Sequence, residues 1–124
     1  MARSQFRSNR KVSGTKYSDV RKKRAMDMAG IPALTAIGKE RLKVKRVRGG
    51  NTKKQLLSTQ IVYVTIKDKV EKLDILSVEN NPANINFTRR NVITKGTIIK
   101  TNKGSVKITS RPGQTGSLFG VLVQ

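Results

Sequence analysis

The sequence contains neither cysteine nor histidine. Without cysteine the chain has no disulfide framework, no thiolate nucleophile and no thiolate metal ligand. Without histidine it lacks the most common general base and the imidazole ligand of many metal sites. These absences exclude zinc sites, haem sites and cysteine proteases from the functions to be considered.

Acidic residues are scarce, and their positions do not suggest catalysis. The seven are Asp19, Asp27, Glu40, Asp68, Glu71, Asp74 and Glu79. They form no carboxylate pair for acid–base chemistry and no set of metal ligands. The Gly-Lys step at Gly38 and Lys39 lacks the upstream glycine and the following Ser or Thr of a phosphate-binding loop. We therefore predict a protein that is not an enzyme and that has no metal, no cofactor and no small-molecule substrate.

Long apolar runs are also missing. No run approaches the roughly 20 residues of a membrane-spanning helix, and the N-terminus lacks the apolar core of a signal peptide. A chain of 124 residues has room for one hydrophobic core, with or without a tail. We expect a soluble intracellular protein with no membrane partner.

Positive charge is abundant. Lys and Arg number 27 against seven acids, a formal net charge of +20 at pH 7. Such an excess repels itself unless a polyanion supplies counter-charge, so the expected partner is anionic. Most of the basic residues, and only three of the acids, lie in residues 1–54.

Residues 1–40 contain almost no run of large apolar or β-branched side chains. They cannot bury enough surface to offset the entropy lost on ordering, so we predict a basic RNA-binding extension that is disordered in the free protein. Within it, Ser18 is a possible helix cap, and Gly30 followed by Pro32 ends the segment. Residues 18–30 therefore predict at most a short helix of about two turns, marginal on its own.

Residues 41–124 consist of short segments rich in Val and Ile, separated by turn residues at intervals typical of a small all-β domain. In one of them Val106 and Ile108 alternate with polar residues, so both are predicted to face the core and Lys107 to face outward. Residues 61–64 are apolar without alternation, which suggests burial on both faces or a central position in the sheet. Residues 102–104 predict a hairpin turn. The candidate strands are 41–48, 60–67, 72–78, 85–87, 97–101, 105–110 and 117–123. The fold class is predicted as all-β, with a small closed or nearly closed β-barrel.

Basic clusters interleaved with flexible residues occupy positions 7–16, 21–24, 39–54 and 89–90. In residues 46–54, two glycines would let the backbone approach phosphates that Arg side chains can hold bidentately. This segment is a credible RNA-contact loop of the barrel domain; the alternative is a solvated hairpin tip. Arg89, Arg90 and Asn91 could project from a barrel rim or form an ordinary charged connection.

Aromatic residues make up 4% of the sequence, with no tryptophan. Proteins that stack successive bases usually carry an aromatic platform on a sheet, and this sequence shows no such pattern. We predict Tyr63, Phe87 and Phe119 to be core residues. RNA binding should then rest on phosphate and sugar contacts.

Six motifs together resemble a known family. They are Arg-Lys-Val-Ser-Gly at 10–14, the basic run at 21–24, Lys-Arg-Val-Arg-Gly-Gly-Asn at 45–51, Asn-Pro-Ala-Asn at 81–84, Arg-Arg-Asn-Val-Ile-Thr-Lys-Gly at 89–96 and Thr-Ser-Arg-Pro-Gly-Gln at 109–114. In this order, over nearly the whole chain, they resemble small-subunit ribosomal protein eight of the archaeal and eukaryotic series. Eukaryotic members carry a long insertion between the last two motifs, whereas about a dozen residues separate them here, so the chain resembles an archaeal member.

This resemblance implies a β-barrel with a basic N-terminal extension, assembled in the cytoplasm on small-subunit ribosomal RNA beside neighbouring ribosomal proteins. The clusters and motifs together define a set of predicted RNA contacts. The set is Arg7, Arg10, Lys11, Ser13, Gly14, Lys16, Arg21, Lys22, Lys23, Arg24, Lys45, Arg46, Arg48, Gly49, Gly50, Asn51, Lys53, Lys54, Arg89, Arg90, Asn91, Lys95 and Arg111.

Three other functions compete with a structural role in the ribosome. A ribosome-assembly factor would bind precursor RNA and leave, but assembly factors with this barrel usually bear extra domains. A polybasic membrane-surface or antimicrobial protein needs an amphipathic helix, and residues 18–30 supply only Val20, Met26, Met28 and small residues to an apolar face. A nuclease is the least supported of the three.

Overall fold

The computed structural model of the protein describes residues 7–66 and 69–123. By their contacts, residues separate into two units, Met1–Pro32 and Ala33–Gln124. Residues 1–6 of the predicted extension, Lys67 of the predicted strand 60–67, and the acidic residue Asp68 lie outside the described residues.

The described residues form nine strands and two short α-helices. The strands are β1 Thr35–Ile37, β2 Arg41–Arg46, β3 Thr52–Thr59, β4 Ile61–Ile66, β5 Lys69–Asn80, β6 Val92–Ile93, β7 Ile98–Thr101, β8 Gly104–Ile108 and β9 Phe119–Leu122. The helices are α1 Ile85–Arg89 and α2 Pro112–Thr115, and single 3-10 turns lie at Ala25–Asp27 and Arg48–Gly50.

Five strands close a barrel in the order β4-β5-β7-β8-β9. Neighbouring strands along this order are antiparallel, and the parallel pairing of β9 with β4 closes the ring. A second sheet has the order β2-β3-β1-β6. The predicted all-β fold with a small closed barrel is confirmed.

Alternating side chains of the barrel strands build the core. Val62, Val64 and Val106 are 0% exposed and Ile108 is 1% exposed, whereas Lys107 is exposed. The predicted orientation of β8 is therefore confirmed. The cluster also includes Leu56, Leu73, Ile75, Val78, Ile93, Ile99 and Leu118. The predicted turn at residues 102–104 is a hairpin in which Thr101 pairs with Gly104.

Two aromatic residues expected in the core lie outside it. Tyr63 is 38% exposed and Phe119 is 47% exposed, while Phe87 on α1 is half-buried. A barrel interior takes one parity of each strand. Because Val62 and Val64 occupy the interior parity of β4, Tyr63 must point outward, so residues 61–64 are not buried on both faces. The alternative of a central position fits β4, which pairs with β5 on one side and β9 on the other.

The segment predicted as strand 85–87 is instead the start of helix α1. The Asn84 side chain accepts a hydrogen bond from the Asn86 N–H at 2.9 Å, which is the geometry of a helix N-cap. This local bond satisfies a backbone donor that a strand would have to pair elsewhere. The prediction from the β-branched Ile85 and aromatic Phe87 was wrong because the cap outweighs their weak strand preference.

The predicted helix at residues 18–30 reduces to the 3-10 turn at Ala25–Asp27. Arg24 before this turn and Met28 after it both have extended backbone angles. A helix this short needs an apolar face packed on a neighbour, and Val20 and Met26 are exposed. Residues 18–30 therefore contain less helix than two turns, which is consistent with the prediction of at most a short helix.

Strand β3, Thr52–Thr59, was absent from the predicted strands because its first half is polar. Backbone pairing with β2 makes this segment a strand, although its composition does not favour one. Strand β1 lies within residues 1–40 and pairs with both β3 and β6. The Thr35 hydroxyl, in a fully buried residue, donates to the Leu56 carbonyl at 2.7 Å, which fixes β1 in the sheet. Disorder of the basic extension in the free protein stays a prediction.

Candidate nucleic-acid interface

Every predicted RNA-contact residue is exposed to solvent. These residues fall in three places: the unit formed by residues up to Pro32, the hairpin formed by β2 and β3, and the turns around α1, β6 and α2. In the second sheet, β2 lies at one edge and β6, which follows Arg89 and Arg90, lies at the other.

We call the hairpin of β2 and β3 the basic ribbon. All six residues of β2 are exposed, and β2 pairs with β3 from Leu42 opposite Leu56 out to Arg46 opposite Thr52. Side chains directly opposite each other in an antiparallel pair share one face. The register therefore decides which basic residues of the ribbon act together.

One face of the ribbon carries Lys43, Lys45, Lys53 and Gln55. Lys45 lies directly opposite Lys53. Like charges at opposed positions destabilise a hairpin, and the register offers no acidic partner on this face. We call it the lysine face. Its charge pattern calls for an anionic partner rather than for intramolecular pairing.

The other face of the ribbon packs partly against the protein. It carries Leu42, Val44 and Lys54, and a Cβ placed at Gly116, after α2, would lie 2.7 Å from the Lys54 Cβ and 3.0 Å from the Leu42 Cδ1. The stem of Lys54 is therefore held against the end of α2. Arg111 is the N-cap residue of the same helix, so α2 brings this predicted contact residue close to the ribbon.

The ribbon tip is a tight turn built on two glycines. The Val47 N–H donates to the Asn51 carbonyl at 2.8 Å and closes the turn. Gly49 and Gly50 have φ of 77° and 80°, a region that side chains with a Cβ rarely adopt. No atom lies within 4 Å of the position that a Cβ on Gly50 would occupy. The backbone of the tip can thus approach a phosphate closely.

In the N-terminal unit, residues 9–17 form a small hairpin. Arg10 and Lys16 form a bridge across it, and the Lys11 N–H donates to the Thr15 carbonyl at 2.9 Å. Gly14 turns the chain with φ of 83°, and Arg10 Nη1 donates to its carbonyl at 2.8 Å. The hairpin therefore brings the predicted contact residues between positions 10 and 16 together around one turn.

Tyr17 organises cations beside this hairpin. The guanidinium carbon of Arg7 lies 4.3 Å from the centre of the Tyr17 ring, and Lys11 Nζ lies 5.7 Å from it. Both distances are those of cation–π contacts. Tyr17 therefore holds two predicted contact residues in place and is a support that the sequence analysis missed.

The basic cluster at residues 21–24 forms an ion pair with Asp27. Arg21 Nη1 lies 2.8 Å from Asp27 Oδ2, and the backbone N–H of Arg24 donates to the same oxygen at 3.4 Å. Asp27 thus ties Arg21 and Arg24 to the 3-10 turn. Lys22 and Lys23 between them are exposed.

We call residues 89–95 the rim. Arg89 is the last residue of α1, Arg90 is its C-cap, and Asn91 has φ of 50°. The Asn91 Oδ1 accepts the backbone N–H of Val78 at 3.4 Å, so this side chain, predicted to contact RNA, also anchors the rim to β5. The two arginines remain at the surface.

A buried polar network holds the rim in shape. Asn81, 2% exposed, donates from Nδ2 to the Val92 carbonyl at 3.0 Å. Its Oδ1 accepts from the Ala83 N–H at 3.1 Å and from the Thr94 hydroxyl at 3.0 Å. The network positions the turn that carries Lys95. The sequence analysis read residues 81–84 only as a motif and missed this role.

Two further surface features were missed. Lys43 lies in the predicted basic cluster 39–54 but was not named as an RNA contact. It completes the lysine face, and the alternation of polar and apolar residues along β2 was the signal that could have found it. The outward aromatic pair Tyr63 and Phe119 gave no signal, since both parities of the segment 61–64 are apolar.

Within residues 7–66 and 69–123, no group of three or more acidic residues is placed to hold a metal ion. The same residues contain no helix that is long and apolar enough to cross a membrane. Glu71 forms an ion pair with Lys103 at the barrel surface.

Comparison with known proteins decides the family. The model of the family described as ribosomal protein S8e matches residues 4–123. The chain belongs to the ribosomal protein S8e family. Its S8e relatives include "Small ribosomal subunit protein eS8" of Haloquadratum walsbyi, 43% identical over 98% of each chain. The proteins of the same name from Nanoarchaeum equitans, covering 97% of this chain and 96% of the relative, and Staphylothermus marinus, covering 100% and 99%, are 44% and 45% identical. The resemblance found in the sequence motifs is confirmed.

Proposed function

We propose that this protein is a structural component of the small ribosomal subunit in the cytoplasm, where it binds folded small-subunit rRNA through phosphate contacts and adjoins other small-subunit proteins. Membership of the S8e family and the names of its relatives support the ribosomal assignment. The basic ribbon supports the mode of binding. No enzymatic step is part of this proposal.

The observation that carries the binding mode is the opposition of Lys45 and Lys53 on the lysine face. An exposed hairpin with like charges face to face gains stability when a polyanion lies along it. The tip adds Arg48 beside two glycines of positive φ, so both backbone and guanidinium can contact the same phosphate. Such contacts follow the shape of folded RNA and carry little sequence information.

The test is the salt dependence of binding to small-subunit rRNA. If the ribbon tip holds phosphates, changing Arg46 and Arg48 to Ala weakens binding and reduces the slope of log affinity against log salt by roughly 0.7 to 0.9 for each phosphate no longer neutralised. Folding is unaffected because both side chains are exposed. Gly50→Val also weakens binding by straining the turn, but it leaves the slope close to that of the wild type.

If the double variant keeps its affinity, its salt slope and a folded barrel, the ribbon tip is a solvated turn. Binding to rRNA would then come from the basic extension and the rim. Lys100→Gln, on the outer side of β7, is the matched control for removal of an exposed charge outside the ribbon.

Sedimentation of a cell extract separates the structural role from an assembly role. A structural component travels with mature small subunits, whereas an assembly factor is confined to their precursors.

A further inference from the structure

An aromatic pair lies on the outer surface of the barrel. Tyr63 of β4 and Phe119 of β9 are directly opposed in the parallel register that closes the ring. Their ring centres are 5.7 Å apart and their planes are tilted by 32°. The separation is that of interacting aromatic rings, and both residues are exposed.

The surroundings of this pair combine apolar, polar and charged side chains. Val121, two residues beyond Phe119, is 43% exposed, and Val70, opposite Thr65 on β5, is 62% exposed. Lys72 of β5 lies opposite Tyr63 on one side, and the Thr109 hydroxyl beside Phe119 donates to the Phe119 carbonyl at 3.1 Å. Lys107 of β8 lies opposite Val121, two residues beyond Phe119. Asp74, two positions from Lys72 on the same face of β5, is the acidic residue nearest in register. Exposed aromatic rings with lysines beside them are features of surfaces that bind single-stranded nucleic acid.

We propose that Tyr63 and Phe119 form a stacking platform for an unpaired base of RNA, with Lys72 and Lys107 placed for the flanking phosphates. The proposal rests on the RNA-binding function proposed above, but it concerns a different surface and a different kind of contact. The basic ribbon holds phosphates of folded RNA, whereas this platform takes a base that has left its helix. Because every base has a flat π face, the site tolerates different bases.

The platform can be observed without any variant at the site. The chain has two tyrosines and no tryptophan, so Tyr17→Phe leaves Tyr63 as the only fluorescent side chain of its kind. Adding a single-stranded oligoadenylate hexamer should quench the Tyr63 emission and move the ring proton signals of Tyr63 and Phe119 upfield, as expected when a base stacks on them. Ring signals and emission that stay unchanged at saturating oligonucleotide would overturn the proposal.

Substitution then measures the contribution of the rings. Tyr63→Leu should lower the affinity for the hexamer by about tenfold, in the range expected for removal of one base–aromatic stack. The slope against salt should stay unchanged because the substitution removes no charge. Tyr63→Phe keeps the ring and should retain the affinity. Leu76→Ala, which changes an apolar side chain 61% exposed on β5, is the control for surface hydrophobicity and should have no effect.

A duplex RNA measured in parallel separates this proposal from the proposed function. If the duplex binds and the affinity for the hexamer does not respond to Tyr63→Leu or Phe119→Leu, the platform is absent and the exposed rings are left as a surface for a protein neighbour. If neither RNA binds, the proposed RNA-binding function fails as well. Circular dichroism of each variant checks that the barrel is folded, and the ring signals of the unsubstituted protein decide the case if a variant unfolds.

Discussion

At the scale of single residues, position in the barrel separates neighbours with opposite roles. On β8, Ile108 is 1% exposed and packs in the core, while the adjacent Lys107 is exposed. Ile108→Ala removes buried methyl groups and leaves a cavity, so it should lower the free energy of unfolding by roughly 2–5 kcal/mol. Lys107→Ala should be nearly neutral. Thermal melts that rank the two variants in the opposite order would contradict the observed register.

A second prediction at this scale concerns a glycine required by packing rather than by backbone angle. A Cβ at Gly120 would lie 2.5 Å from Val106 Cγ1 and 2.9 Å from the Lys107 carbonyl oxygen. Gly120→Ala should therefore overpack the junction of β8 and β9 and destabilise the barrel by about 1–3 kcal/mol. Gly30→Ala is the control, because no atom lies within 4 Å of its Cβ position. Equal unfolding midpoints in urea for both variants would show that the barrel widens freely there.

At the scale of elements, the charges of the basic ribbon are expected to lower the stability of the free protein and to strengthen its binding to rRNA. Lys53 and Lys45 repel each other across the hairpin in the free protein. Lys53→Gln should therefore raise the stability of the free protein slightly, by up to about 1 kcal/mol. The same change removes a phosphate contact and should weaken binding to rRNA, with a salt slope smaller by roughly 0.7 to 0.9.

These opposite signs distinguish a binding surface from a structural one. Chemical denaturation measures the first effect, and titration of rRNA at several salt concentrations measures the second. Lys100→Gln, opposite Ser105 on the barrel, should change neither quantity appreciably. If Lys53→Gln destabilised the free protein or left the salt slope unchanged, the charge pattern of the lysine face would have no bearing on RNA.

At the scale of the whole molecule, the two units differ in what stabilises them. The unit beginning at Ala33 has the closed barrel and its core. The described part of the other unit has a small hairpin, one 3-10 turn and no buried residue. Isolated hairpins are marginal in water, so in the free protein we expect residues 7–32 to exchange amide protons rapidly and the barrel strands to be protected.

Hydrogen exchange with and without rRNA tests this expectation. Bound rRNA should slow exchange around residues 9–17 and 21–24, where the basic clusters lie. Strand β1, although it belongs to the predicted extension, should exchange with the sheet because it pairs with β3 and β6. If residues 9–17 of the free protein were protected as strongly as the barrel, the N-terminal unit would fold independently of RNA.

The sequence by itself determined the chemistry of this protein. A net charge of +20 at pH 7 favours an anionic partner, since charge and side-chain type do not depend on folding. Regular alternation placed Val106 and Ile108 inside, because period-two patterns report one buried face. The positive φ of Gly50 could also be anticipated, because glycine adopts that angle without strain.

Tertiary structure alone decided which faces meet. The segment 61–64 is apolar throughout, so only closure of the barrel by β9 determined that Val62 and Val64 face inward and that Tyr63 joins Phe119 outside. Likewise, the polar start of β3 becomes a strand only through its pairing with β2, and that register alone sets Lys45 against Lys53. Strand pairing and closure of the barrel bring together residues that are far apart in the sequence. The local sequence around a side chain therefore does not determine which residue it meets on the neighbouring strand.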